Sequence, residues 1–305
     1  MEDEIFKFPV GEEDAGKRLD SFLADKMENL SRSRVAKLLE EERVEPCRKA
    51  SFKVAEGEEY ILSLPPAVPL DVKGEDIPLD VLYEDSDVIV VNKPKGMVVH
   101  PDNTHTGGTM VNALLHHCKD LSGIGGVMRP GIVHRIDMDT TGAVIACKND
   151  ISHESIAAQL KAHSINRKYL AIVNGNLKND EGVIDAPLGR NPKDRKKIAV
   201  VPGGKRAVTH YKVLERFKGF SYVECVLETG RTHQIRVHMA HIGHPLLGDE
   251  VYGSPGINKR FKNLQGQCLH AAILGFLHPV TGEYIETRAP LPHYFEELLI
   301  KLRLS

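Results

Sequence analysis

Along the first eighty residues the apolar positions are spaced first like helices and then like a strand. In "KRLDSFLADKM", Leu19, Phe22 and Leu23 fall at i, i+3 and i+4, one face of an amphipathic helix. A second helix is predicted at once in "LSRSRVAKLLEEE". Ser31 is its N-cap, Val35, Leu38 and Leu39 form its apolar face, and Arg32, Arg34 and Lys37 project elsewhere. After Gly57, "EYILSL" alternates with the period of a strand. Residues 62 to 80 then carry four prolines, which sustain neither a helix nor a central strand. This composition break divides the chain into an N-terminal extension (1–14), a small unit (15–65), a linker (66–78) and a larger unit (79–305).

The larger unit opens with "VLYEDSDVIVVNKPKGMVVHP". Its pattern predicts a polar turn at Asp85–Asp87, a buried strand "VIVVN", a turn at Lys93-Pro94-Lys95-Gly96 and a further apolar strand "MVV". Gly131 to Lys148, "GIVHRIDMDTTGAVIACK", places two carboxylates, an arginine and a histidine between short apolar runs. If His134 to Asp137 is extended, Arg135 and Asp137 share one side and Ile136 points into packing. A lone Arg-x-Asp is most often a local ion pair of small energy. Here Thr140, Thr141 and Gly142 are turn formers that set the acids at the mouth of the strand "AVIAC", and Asp139 is expected to bond backbone near Thr141. The β segments are joined by short turns and do not alternate regularly with long helices. The expected fold class is therefore α+β, with a largely antiparallel sheet flanked by helices.

Composition narrows the partners. A net charge of -2 over 305 residues excludes a general coating of nucleic acid, so any such contact rests on local patches. Two patches stand out. Ser31 to Lys53 carries seven Lys/Arg against four Glu, and residues 186 to 206 carry seven Lys/Arg against one Asp. The second, which includes Lys196 and Lys197, has the glycines and prolines of a loop or hairpin that closes on phosphates. Five cysteines without a C-x-x-C pair favour reduced thiols over disulfides or zinc. With no apolar leader and no run of ~20 apolar residues, the reading is a cytoplasmic protein without a membrane partner. His233, His238, His241 and His244 raise a metal-dependent hydrolase, but they do not form H-E-x-x-H and lack a nearby acidic base. A glycoside hydrolase using Asp137 and Asp139 would need carboxylates ~5 to 9 Å apart across a bond, which residues two apart do not provide.

The order of pieces in the small unit resembles the S4 RNA-binding domain: Arg18 to Leu23, Ser31 to Leu39 and Val54 to Glu58 match its segments. That domain presents a basic face of two short helices and a hairpin to folded RNA, which here implies Arg32, Arg34 and Lys37. The glycine that the family has after its second helix, and its Asn-Gly hairpin turn, are replaced by "EEERVEPCRK".

From about Val81 onward the chain resembles the RluA/RluD-type pseudouridine synthases. "GIVHRIDMDTTGAVIACKN" is similar to their H-R-(L/I)-D-x-x-(T/S)-G signature. "VVNKPKGMVVHP", "NRKYLAIVNG", "TGRTHQIRVHMAHIGHPLLGDEVYG" and "CLHAAILGFLHPVTGE" resemble their other motifs, in order. The resemblance implies a bent sheet around a cleft, with Asp137 as the catalytic carboxylate. Arg236 would pair with it and favour its ionised form. Tyr169 would stack on the uracil, Leu269 would give an apolar contact, and Arg135 would enter the gap left by the extruded base. Arg231, the first arginine of "RTHQIR", joins the substrate-binding set. The reaction implied needs no cofactor and no metal. An S4 domain ahead of this catalytic domain is the arrangement of large-subunit ribosomal RNA synthases. The implied partner is therefore ribosomal RNA, free or within the large subunit or its precursor, met by a monomer. Transfer RNA, or a non-catalytic role in ribosome assembly, are the alternatives.

Overall fold

The apolar stripe read at residues 19 to 23 is buried: Leu19, Phe22 and Leu23 are inaccessible to solvent. The computed structural model describes residues 3–27, 32–64, 72–102, 104–118, 121, 131–261 and 264–304, apart from the side chains of Ser33, Arg34 and Lys37. The chain divides into two units, Met1–Pro69 and Leu70–Ser305.

The first unit contains β1 (Glu4–Pro9), α1 (Leu19–Lys26), α2 (Arg32–Glu40), β2 (Val44–Glu45) and β3 (Glu59–Leu64). The strands form an antiparallel sheet in the order β1-β3-β2. Its core gathers the apolar faces of both helices with Val44, Val54, Tyr60 and Leu62. Residues 1–14 were expected as an extension, and the structure corrects this. β1 pairs with β3 from Glu4↔Leu64 to Pro9↔Glu59, and Val10 is buried behind it. Phe6 and Phe8, alternating with Ile5 and Lys7, pack on the core, so this strand is part of the fold. The expected N-cap, Ser31, lies outside the described residues. The C-terminus of α2 closes as a Schellman motif: Arg43 N–H donates to Leu38 O (2.8 Å) and Glu42 N–H to Leu39 O (3.2 Å). Glu42 adopts φ +55°, the left-handed conformation that glycine takes without cost.

Of the linker, residues 66–71 lie outside the described set. The remainder is fastened to the second unit, where Asn112 Nδ2 donates to Lys73 O (2.8 Å) and Glu75 N–H to Asn112 O (2.9 Å).

The second unit begins with β4 (Val81–Glu84), β5 (Val88–Lys93), α3 (Met110–His117), β6 (Thr141–Cys147) and α4 (Asp150–Lys161). It continues through β7 (Asn166–Asn174), β8 (Glu181–Asp185), β9 (Leu188–Arg190), β10 (Ile198–Val200), β11 (Val208–Phe217) and β12 (Phe220–Leu227). It ends with α5 (Gln234–His241), α6 (Pro255–Asn258), β13 (Leu269–Leu277), β14 (Tyr284–Arg288) and α7 (His293–Arg303). The large sheet runs β4-β5-β6-β13-β7-β12-β11-β8, with β14 beside β13. All its pairings are antiparallel except β6 with β13, where Thr141 faces His270 and Gly142 faces Ala271. At this junction Gly142 has φ +109°, and any Cβ there would run into the Ala271 carbonyl. Thr141 Oγ1 and His270 Nδ1 lie 2.8 Å apart across it, both buried.

The apolar run "MVV" forms no strand. The carbonyls of Val98 and Val99 accept from Met110 N–H (2.9 Å) and Val111 N–H (3.0 Å), donors in the first turn of α3 that have no partner within the helix. The basic stretch 186–206 forms a small antiparallel pair, β9 with β10. Among the described residues no helix is long and apolar enough to cross a membrane.

Candidate active site

Residues 131 to 140 lead into β6 without regular structure beyond an isolated bridge at Ile132 and a turn at 138–139, and their carbonyls need partners outside a ladder. Lys93, at the end of β5 and only 1% exposed, supplies one. Its Nζ donates to Pro94 O (2.8 Å), Met97 O (2.7 Å) and Met138 O (2.8 Å). Burial pushes this amine down, to about 7, against the pull of Asp139 and Asp137, while the three carbonyls take the three N–H bonds of its charged form. Gly96 N–H also donates to Met138 O (3.1 Å), and Thr140 N–H to Asp137 O (3.0 Å). The backbone on either side of Asp137 is thus pinned.

The opposing wall is the start of α5. Gln234 is buried with its amide fully used. Its Oε1 accepts from Thr229 Oγ1 (2.8 Å) and Arg231 N–H (3.0 Å), and its Nε2 donates to Val208 O (2.9 Å) and Thr209 Oγ1 (3.0 Å). This fixes the turn before the helix, in which His233 takes φ +56°. Arg236 follows, buried between two carboxylates. It grips Asp249 with Nε (2.7 Å) and Nη2 (3.0 Å) and reaches Asp137 Oδ2 with Nη1 (2.8 Å). Burial opposes the charge on Arg236, but Asp249 and then Asp137 more than offset it and raise its pKa further. Burial also opposes the charge on Asp249; Arg236, with the N–H groups of Tyr252 and Val251, holds that carboxyl below its ordinary range.

Tyr252 ties these parts together. Its hydroxyl accepts from Ile198 N–H on β10 (3.0 Å) and lies 2.9 Å from His233 Nδ1. The other ring nitrogen, Nε2, lies 3.8 Å from Asp137 Oδ1. Burial pushes His233 down, against the attraction of Asp137.

These elements enclose a narrow cleft of about 60 Å³. Asp137, Tyr169, Arg236, Leu269, Arg135 and Arg231, drawn from five separate segments, all line it. Tyr169 (β7) and Leu269 (β13) are 8% and 5% exposed, and burial raises the phenol's pKa. Lys196 and Lys197 are not part of this wall. They sit in the turn between β9 and β10, where Lys197 Nζ lies 3.9 Å from Asp194. Arg190 and Lys205 of the same hairpin instead line a second cleft with Arg231. In the first unit Arg32 is drawn back to Asp20, at 3.2 Å. The side chains of Arg34 and Lys37 lie outside the described residues.

Asp139 packs against Gly266 rather than bonding near Thr141. The closely spaced histidines diverge. His238 uses both ring nitrogens, on Thr209 Oγ1 (2.9 Å) and Ala186 O (3.0 Å), and His244 Nδ1 is on Asn174 O (2.9 Å). Asp249, Gln234 and Tyr252 were not singled out from sequence, Lys93 was read only as a turn residue and His233 only as a candidate metal ligand, although each lies inside a quoted motif.

The profile of the RNA pseudouridylate synthase family matches residues 87–241, the span holding Asp137, Tyr169 and Arg236. The chain belongs to that family. As an RNA pseudouridine synthase it is an isomerase. It is 51% identical over 297 residues to the uncharacterized RNA pseudouridine synthase YlyB of Bacillus subtilis, covering 96% of this chain and 97% of the relative. It is 46% identical over 306 residues to ribosomal large subunit pseudouridine synthase D of Zymomonas mobilis, covering 96% of each. Human RNA pseudouridylate synthase domain containing 1 shares the synthase fold, with a TM-score of 0.59 at 24% identity over 76% of this chain and 97% of that one.

Proposed function

We propose that this synthase isomerises uridine in large-subunit ribosomal RNA, with Asp137 as its catalytic carboxylate. The observation that carries the reading is the Asp137–Arg236 contact (2.8 Å) in a cleft shared with Tyr169 and Leu269. The substrate assignment rests on relatives named ribosomal large subunit pseudouridine synthase D, among them those of Zymomonas mobilis and Escherichia coli, at 46% and 40% identity.

The reaction breaks the bond from N1 to C1′, turns the uracil and rejoins it through C5; N1 gains a proton and C5 loses one to water. The target base leaves its stack at a cost of about a few kcal/mol. Tyr169 and Leu269 offer it flat and apolar surfaces in return. Arg135, exposed at the mouth of the cleft, takes the place that the base vacates. Asp137 acts on the sugar or the base, held toward them by a guanidinium that is itself fixed from behind. Arg231 and the β9–β10 hairpin, with Lys196 and Lys197, hold phosphates, and the N-terminal unit is an S4-like module that docks the RNA.

The test is tritium release from ribosomal RNA labelled at uridine C5. Release by wild type, retained with a chelator and abolished in Asp137→Asn, is the expected result. Release undiminished in the variant would remove Asp137 from the chemistry. Release from transfer RNA alone would remove the ribosomal assignment.

A further inference from the structure

Arg167 is an arginine whose position the site described so far does not explain. It stands two residues before Tyr169 on β7, and the strand period puts both side chains on one face. It is 7% exposed, and its Nε carries no hydrogen bond. Among the described residues it makes no ion pair. A guanidinium withdrawn from water without a partner is unfavourable, and such groups are normally paired.

The missing partner has an open place to enter. Arg167 lines a cleft of about 470 Å³ that shares Arg135, Tyr169, Leu227 and Arg231 with the Asp137 cleft, so the two adjoin. Lys161 and His163 form its outer edge, and no carboxylate lines it. His134, also in its wall, accepts Ile145 N–H at Nε2 (3.0 Å); burial and then the charge of Arg167 keep its pKa down at about 3. The glycine at 230 belongs to the same construction, since a Cβ there would stand 2.6 Å from Arg167 Nη1. A cationic floor, a cationic edge and backbone trimmed to admit a guanidinium together describe a receptor for an oxyanion.

We propose that this cleft is a phosphate subsite in which Arg167 binds a backbone phosphate next to the nucleotide whose base enters the Asp137 cleft. The inference rests on the proposed RNA reading and deepens it: Arg167 sets the register of the strand, while Arg135 and Arg231 bridge the two clefts. Planar N–H pairs on a guanidinium match two phosphate oxygens, and a fixed phosphate fixes which base lies over Tyr169.

The probe is the shortest ribosomal RNA hairpin that wild type modifies, synthesised with single neutral methylphosphonate linkages at each position around the target uridine. In wild type, one linkage within two nucleotides of the target should weaken binding about tenfold or more, the effect of removing one charge-assisted hydrogen bond. Arg167→Gln should bind the unmodified hairpin as weakly as wild type binds that one modified RNA, and should lose nothing further from the modification. Gly230→Ala, which displaces the guanidinium without removing it, should show the same insensitivity. Lys161→Gln, at an exposed edge position, should lower the salt slope by about 0.7. A flat scan in wild type overturns the subsite whether or not the variants fold. So does a scan whose pattern is unchanged in folded Arg167→Gln. A flat scan together with thermal stabilisation of wild type by inorganic phosphate would reassign the cleft to a free anion. If wild type modifies no ribosomal or transfer RNA, the underlying reading falls and the subsite with it.

Discussion

Asp249 holds Arg236 with both carboxylate oxygens, at 2.7 and 3.0 Å, leaving Nη1 of the guanidinium to meet Asp137 at 2.8 Å. Asp249 is fully buried and does not line the cleft, so it acts on Asp137 only through the arginine. It is a positioning residue, and its own orientation is set by the N–H groups of Val251 and Tyr252, both at 2.9 Å from Oδ1.

Asp249→Asn keeps the shape but removes the charge and turns one acceptor into a donor facing a donor. Its kcat for tritium release should fall roughly tenfold to hundredfold with little change in KM, the cost of losing a charged hydrogen bond. Asp249→Glu should recover part of the loss. Equal kcat for Asp249→Asn and wild type would show that Arg236 holds its position unaided.

The same residue gives an acid limb to stability. Its folded pKa is depressed, so its contribution is present above the unfolded value of about 3.9 and is lost as pH falls through the lower folded value. Urea unfolding of wild type and Asp249→Asn should therefore show a stability gap that is wide at pH 5 and narrows on acidification. A gap that does not change with pH would contradict this linkage.

Lys93→Met should be severe for a residue outside the cleft. It leaves the carbonyls of Pro94 and Met97 without this donor, at about 1–3 kcal/mol for each that stays buried, and Met138 O with Gly96 N–H alone. Because Met138 adjoins Asp137, tritium release should fall further than the folded fraction does. Activity that tracks the folded fraction alone would limit Lys93 to stability.

Glu42→Gly should stabilise the N-terminal unit by about 1 kcal/mol, the cost of a side chain in the left-handed region. Denaturant unfolding followed in that unit reads it directly. No gain would mean that the Glu42 side chain makes a compensating contribution.

Lys196→Gln with Lys197→Gln should weaken RNA binding and flatten its dependence on salt, by up to about 0.9 in slope for each phosphate that the hairpin no longer neutralises. Lys197 already faces Asp194, so Lys196 should account for more of the change. Affinity that is unchanged from low to moderate salt would place the hairpin tip off the RNA.

Asp137, Tyr169, Arg236 and Leu269 were legible as a group only through the ordered motifs that resemble the synthase family, since each alone reads as an ordinary core or ion-pair residue; the structure sets them around one cleft. Asp249 was not, because its partner lies thirteen residues back and their meeting depends on the turns between them. The strand at Glu4–Pro9 was readable in the alternation of Phe6 and Phe8 but was hidden by the acidic residues around it. "MVV" misled for a different reason. Periodicity reports which side chains are buried, whereas the backbone partners of Val98 and Val99 are supplied by a helix that begins eleven residues later. Arg167 sat in plain view within "NRKYL" as an ordinary strand cation, and only its missing partner set it apart.

β13 lies between β6 and β7, joined to one in parallel and to the other antiparallel. The two strands flanking it come off the ribosome roughly a hundred residues before it, and each must wait for a neighbour that has not yet been made. Leu269 opens that late strand, so the cleft that holds Asp137 and the middle of the sheet are completed by the same event. A nascent chain that stops short of β13 therefore lacks both the middle of its sheet and one wall of the Asp137 cleft, whatever its helices and outer hairpins have already formed.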